Sequence, residues 1–73
     1  MASPETALGK TVKRLRREAA LSQELVAWAA GISAAQLAQI EGGNLDQVRF
    51  STFVRLALAL GVEPRVLAQK AGL

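Results

Sequence analysis

The chain has 73 residues, which is room for one domain around one core. Hydrophobic residues make up 51% of it, yet no run approaches the ~20 apolar residues of a membrane span, and the absence of cysteine and histidine excludes disulfides and the usual zinc ligand sets. A net charge of +3 and a pI of about 10.2 favour a polyanionic partner without requiring one. The start, Met1-Ala2-Ser3-Pro4-Glu5, has no positive region followed by an apolar stretch, so no signal peptide is expected and the cytoplasm is the expected compartment.

Almost every segment reads as helix, because Ala, Leu, Gln, Glu, Lys and Arg dominate and Ser and Gly punctuate. The first helix is predicted from about Thr6 to Ala19, with Leu8, Val12 and Leu15 on one face and Lys10, Lys13, Arg14 and Arg17 mostly on others. Ser22 is placed to cap a second helix, about Gln23 to Ala30, which Gly31 ends. Ser33 caps a third, about Ala34 to Glu41, stopped by Gly42 and Gly43. Asn44 to Arg49 reads as a polar loop. A fourth helix opens at Phe50 or Ser51 and closes at Gly61, with Phe50, Phe53, Ala57 and Leu60 at helical spacing. Glu63-Pro64 starts a fifth, since proline is tolerated in the first turn, and it ends near Gly72.

The informative segment is Gln23 to Gly42. Two short helices joined by about three residues must cross steeply, so their backbones approach closely. Ala27 supplies the small residue at the crossing, and Gly31 supplies the positive φ of the turn. Val26, Ala30, Leu37 and Ile40 face inward and Ile32 plugs the turn, which leaves the outer face of Ala34 to Gln39 free to enter a major groove.

The run Leu21-Ser22-Gln23-Glu24, then Ala27, Gly31-Ile32-Ser33, Gln39-Ile40-Glu41-Gly42-Gly43 and Leu56-Ala57-Leu58-Ala59-Leu60-Gly61-Val62, resembles the lambda-repressor-like (Cro/cI, or Xre) helix-turn-helix family over roughly Leu8 to Val62. Among compact members it is similar to controller proteins of restriction-modification systems and to antitoxins that repress their own operons. The resemblance implies an all-α, five-helix DNA-binding domain, a dimer and a palindromic operator. It implies Gln23 touching a phosphate, Ala34, Ala35 and Gln39 turned toward base edges, and an ion pair between Arg16 and Glu41. The sequence departs from the family pattern at Ala20, where glycine is frequent, at Val26, at Gly42, at Trp28 in place of a polar exposed residue, and in a loop about one residue longer.

From the residues themselves, Gln36 and Gln39 can bond adenine in a bidentate way, and Ala34 and Ala35 can only pack against thymine methyls or serve as helix formers. The amides that open the second helix, beside Ser22 and Gln23, form a ready anion site next to the phosphate contact that the resemblance implies for Gln23, and Asn44 and Arg49 in the loop are further phosphate candidates. Arg17 joins them as a candidate, its alternative being an ordinary solvated face. The fourth helix is apolar nearly all round, so Val54 and Leu58, with Val66 and Leu67 of the fifth, form a second stripe suited to a dimer interface. Leu25 and Trp28 read either as extra core or as a contact for a protein partner.

Residues 1–73 are therefore read as a single helix-turn-helix domain: residues 22–43 form the motif, and two further helices, about 50–72, serve core and dimerisation. The expected function is a homodimeric transcriptional regulator on double-stranded DNA. The alternative is a protein-interaction module on the same fold. No enzyme is expected, since histidine, cysteine, a phosphate loop and paired carboxylates are all missing, and no cofactor or small-molecule ligand is expected either.

Overall fold

The computed structural model describes residues 4–73. Within them α1 runs Pro4–Glu18, so helix is already present two residues ahead of the expected start. The reading of Met1 to Ser3 lies outside the described residues. Then come α2 (Gln23–Ala30), α3 (Ala34–Glu41), α4 (Phe50–Ala59) and α5 (Pro64–Lys70). No strand is present among the described residues, and none of their helices is long and apolar enough to cross a membrane.

One terminating device recurs after every helix. An amide reaches back to the carbonyl five residues earlier: Leu21 to Arg16, Ile32 to Ala27, Asn44 to Gln39, Val62 to Ala57 and Leu73 to Ala68, at 2.9 to 3.0 Å. Each bond closes over a residue of positive φ, which is Ala20, Gly31, Gly43, Gly61 and Gly72 in turn. Ala20 is the exception in kind, a side chain held at φ 58° where Cβ crowds the next carbonyl. In the pair that ends α3, Gly43 takes the left-handed turn, while Gly42 stays in the right-handed helical region.

Leu8, Val12 and Leu15 of α1 lie on the core side with Val26, Ala27 and Ala30 of α2 and Leu37 and Ile40 of α3. Leu56, Ala57 and Leu60 of α4 and Leu67 and Ala71 at the end of the chain complete the core. α2 packs on both α3 and α4, and α1 on α3 and α5. Gly9 lets α1 lie directly on the end of α3: a Cβ there would run into the Ile40 carbonyl oxygen and sit 3.0 Å from that of Glu41. Thr11, buried beside it, donates its hydroxyl to the Lys70 carbonyl at 3.4 Å and so ties the last turn of α5 to α1.

Two expectations are corrected by the structure. Leu67 is fully buried in the monomer core, since it and Ala71 form the inward row at the end of the chain, so it is not available to a second subunit. The loop 44–49 is not wholly polar: Leu45 and Val48 pack against the core and anchor it, and the Asn44 Oδ1 accepts from the Asp46 amide at 3.1 Å.

Candidate nucleic-acid interface

The two helices of the motif are set by their caps. Ser22 stands just before α2 in extended conformation and its Oγ accepts from the Leu25 amide at 3.0 Å. Gly31 turns the chain at φ 72°, and Ser33 starts α3 two residues later. That start is a reciprocal cap: the Ser33 Oγ accepts from the Gln36 amide, and the Gln36 Oε1 accepts from the Ser33 amide, both at 3.0 Å. Ala27 and Ala30, both buried, allow the close crossing of α2 over its neighbours.

The angular position of each α3 residue then follows from 3.6-residue periodicity. Leu37, Ile40 and Glu41 point inward. Ala35, Ala38 and Gln39 are exposed and share one outer stripe. Ala34 is half-buried and packs against the core, so the structure places it at the edge of that stripe. Gln36 is half-buried with its carbonyl oxygen engaged by the cap. Sequence reasoning passed over Ala38, although its spacing of three from Ala35 would have found it. It also missed the capping role of Gln36, legible in Ser33-Ala34-Ala35-Gln36 as serine followed by glutamine three residues on.

A buried polar cluster fixes the far end of the motif. The Arg16 guanidinium donates to both Glu41 carboxylate oxygens, Nε to Oε2 at 2.7 Å and Nη2 to Oε1 at 3.0 Å, and its Nη1 donates to the Leu21 carbonyl at 3.0 Å. Gln23 adds a third donor to the carboxylate, Nε2 to Oε1 at 3.0 Å. The two charged side chains retain only 11% and 3% exposure. Burial pushes the Glu41 carboxyl up, but the hydrogen bonds from Arg16 and Gln23 and the charges of Arg16 and Lys13 outweigh it and hold the group below the ordinary glutamate value. The hydrogen bond to Glu41 raises Arg16 in turn, against the opposing effect of its own burial.

This cluster determines what stands around α3. The Gln23 bond holds the first residue of α2 against the last turn of α3, and Asn44 follows that turn directly. Ser22 and Asn44 are exposed, and Arg49 is exposed at the other end of the loop. Arg17 is exposed on the last turn of α1, next in sequence to Arg16. Gln23 is half-buried, with one N–H directed at Glu41, which leaves its second N–H for an outside acceptor. Away from α3, Trp28 is 79% exposed and Leu25 is also exposed on the outer side of α2, so neither extends the core. Leu58 is exposed on α4 beside an open groove of about 290 Å³ that it lines with Gly61, Val62, Glu63 and Pro64. Val54 and Val66 are half-buried.

Comparison with known proteins bears on this geometry. Residues 7–70 match the family model described as Helix-turn-helix domain. The restriction-modification controller protein C.AhdI from Aeromonas hydrophila superimposes with a TM-score of 0.79 at 32% identity, over 86% of this chain and 94% of that one. The clp gene regulator ClgR from C. glutamicum shares the fold with a TM-score of 0.86 at 21% identity, over 99% of this chain and 92% of that one. No curated protein matches. With two short helices crossed at a glycine turn and the outer stripe of the second left uncovered, the chain belongs to the helix-turn-helix domain family and has the lambda-repressor-like architecture of a DNA-binding regulator.

Proposed function

We propose that the chain acts as a homodimer that binds a palindromic operator, placing the α3 of each subunit in successive major grooves, and that it controls its own or a neighbouring operon in the cytoplasm. The observation that carries this reading is the exposed stripe Ala35, Ala38 and Gln39, which nothing among the described residues covers. Phosphate contact is assigned to Ser22, Gln23, Asn44, Arg49 and Arg17, all at least partly exposed, and the net charge of +3 supports this assignment. Gly31 and the Arg16–Glu41 pair hold the two helices in the orientation this needs. Similarity to a restriction-modification controller supports that class over an antitoxin-like autoregulator.

The second subunit is assigned to the face of α4 and α5 that carries Val54, Leu58 and Val66. Leu58 at 65% exposure is its clearest element, and large apolar side chains left in water on a small domain are what a symmetric contact would bury. Residues 1–73 thus act as one unit in which α4 and α5 serve both core and association. A second reading, a protein-interaction module, draws support from exposed Trp28 and Leu25.

Selection of bound duplex from a random pool tests the proposal. A DNA-binding dimer enriches a two-fold symmetric site with half-site centres about 10 bp, or roughly 34 Å, apart. Its affinity falls steeply with salt, because phosphate neutralisation releases counterions. Failure to enrich any duplex, together with stoichiometric capture of a protein that Trp28→Ser abolishes, would favour the interaction module instead.

A further inference from the structure

α3 offers few atoms with which to distinguish one base pair from another. Its outward stripe carries two methyl groups, from Ala35 and Ala38, and one amide, from Gln39. Gln36 does not add a second amide reader. A bidentate adenine contact requires the amide to extend outward, its oxygen accepting from N6 while its nitrogen donates to N7, and the half-buried Gln36 side chain is instead folded back onto the helix start, where its Oε1 accepts from the Ser33 amide. The Ser33 hydroxyl is engaged in the reciprocal bond. Two alanines also bring the helix backbone close to whatever it faces, since neither side chain extends past Cβ. Across the major-groove edges of the four base pairs, one group alone is apolar, the C5-methyl of thymine.

We infer that α3 reads its half-site through apolar contact, Ala35 and Ala38 seated on thymine methyl groups beside one adenine held by Gln39, with Gln36 as a positioning residue that fixes the start of the helix and reads no base. The inference rests on the major-groove reading above and names the base chemistry that this reading would recognise. It moves the apolar contact from Ala34, half-buried against the core, to Ala38.

The test uses the full chain and the duplex enriched from a random pool. Each thymine of the half-site is replaced in turn by deoxyuridine, which pairs identically and lacks only the methyl. Affinity should fall about three- to fourfold at each position that faces Ala35 or Ala38, as expected for one buried methyl, and should stay constant elsewhere. Gln39→Ala should relax the preference for adenine at a single position, by roughly 5- to 150-fold. Gln36→Ala should keep the same base preferences while melting at a lower temperature. Should that variant fail to fold, Gln36→Glu keeps the cap, cannot donate to adenine N7, and should bind more weakly with an unchanged preference profile. Deoxyuridine without effect at every position, or a base preference relaxed by either Gln36 variant, would overturn the inference while leaving DNA binding intact. Failure to enrich any duplex would overturn the functional reading, and this one with it.

Discussion

Replacing Glu41 with glutamine leaves its shape in place and strands the charge it serves. Arg16 directs two donors at the carboxylate and is only 11% exposed, so water cannot easily take over from the lost partner. Breaking a buried pair from one side costs about 3–5 kcal/mol, and the small remaining access of Arg16 to solvent argues for the lower end, about 3 kcal/mol. The Gln23 donor adds to the loss if the new amide turns its nitrogen toward it. A domain of this length has a total stability of roughly 4–11 kcal/mol, so the variant gives up a large part of it. At about 4–8 °C per kcal/mol for a small domain, the melting temperature should drop by roughly 12–24 °C. The assay is thermal unfolding followed by far-ultraviolet circular dichroism at neutral pH and fixed protein concentration, since association would couple stability to concentration. The double variant Arg16→Met with Glu41→Leu should recover most of the loss, because no buried charge remains unpaired. A Glu41→Gln variant that melts within about 2 °C of the parent, less than even 1 kcal/mol would give, would refute the reasoning.

The same carboxylate sets an acid limit. Its proton affinity is lowered by folding, so its contribution is present above the unfolded value of about 4.3 and is lost as pH falls through the lower folded value. Urea midpoints should therefore decline below about pH 4.3, and the decline should be shallower in Glu41→Gln. Gly9→Ala should destabilise by about 1–3 kcal/mol despite the better helix propensity of alanine, because the obstruction is the backbone of Ile40 and Glu41, not a side chain that can move. Ala20→Gly should stabilise by about 0.5–1 kcal/mol, since the strain relieved at φ 58° exceeds the added flexibility of the unfolded chain; equal or lower stability by chemical denaturation would contradict this. Leu58→Glu, at an exposed position, should leave the helical spectrum unchanged and convert the proposed dimer to monomer by sedimentation, and an unchanged sedimentation coefficient would remove α4 from the proposed interface.

Much of the fold is legible because local signals agree with one another. Ser22, Gly31 and Ser33 each mark a helix boundary by a mechanism that acts within four residues, and those boundaries stand where expected. The inward rows of α1, α2 and α3 follow from period alone. The errors arise where one period serves two purposes. Leu67 and Leu58 both belong to apolar helices, but only packing decides that the first fills the monomer and the second faces outward. Gly9 escaped notice because nothing in its own helix requires a glycine; the requirement comes from the backbone of α3, more than thirty positions later. The candidate site was partly visible for the same reason. Ala35 and Gln39 follow from position on α3, and the pairing of Ser33 with Gln36 is written in their spacing of three, whereas the engagement of Gln23 with Glu41 becomes apparent only from side-chain geometry.

The role assigned to α3 can be tested by nuclear magnetic resonance of the labelled protein, titrated with its selected duplex. The account expects the Ala35 and Ala38 methyls and the Gln39 side-chain amide to shift strongly and to show close contacts with DNA protons, while the Trp28 indole stays where it is in the free protein. Strong shifts at Trp28 and Leu25 with α3 unchanged would contradict it, because the nucleic acid would then be held by the opposite use of the same two helices.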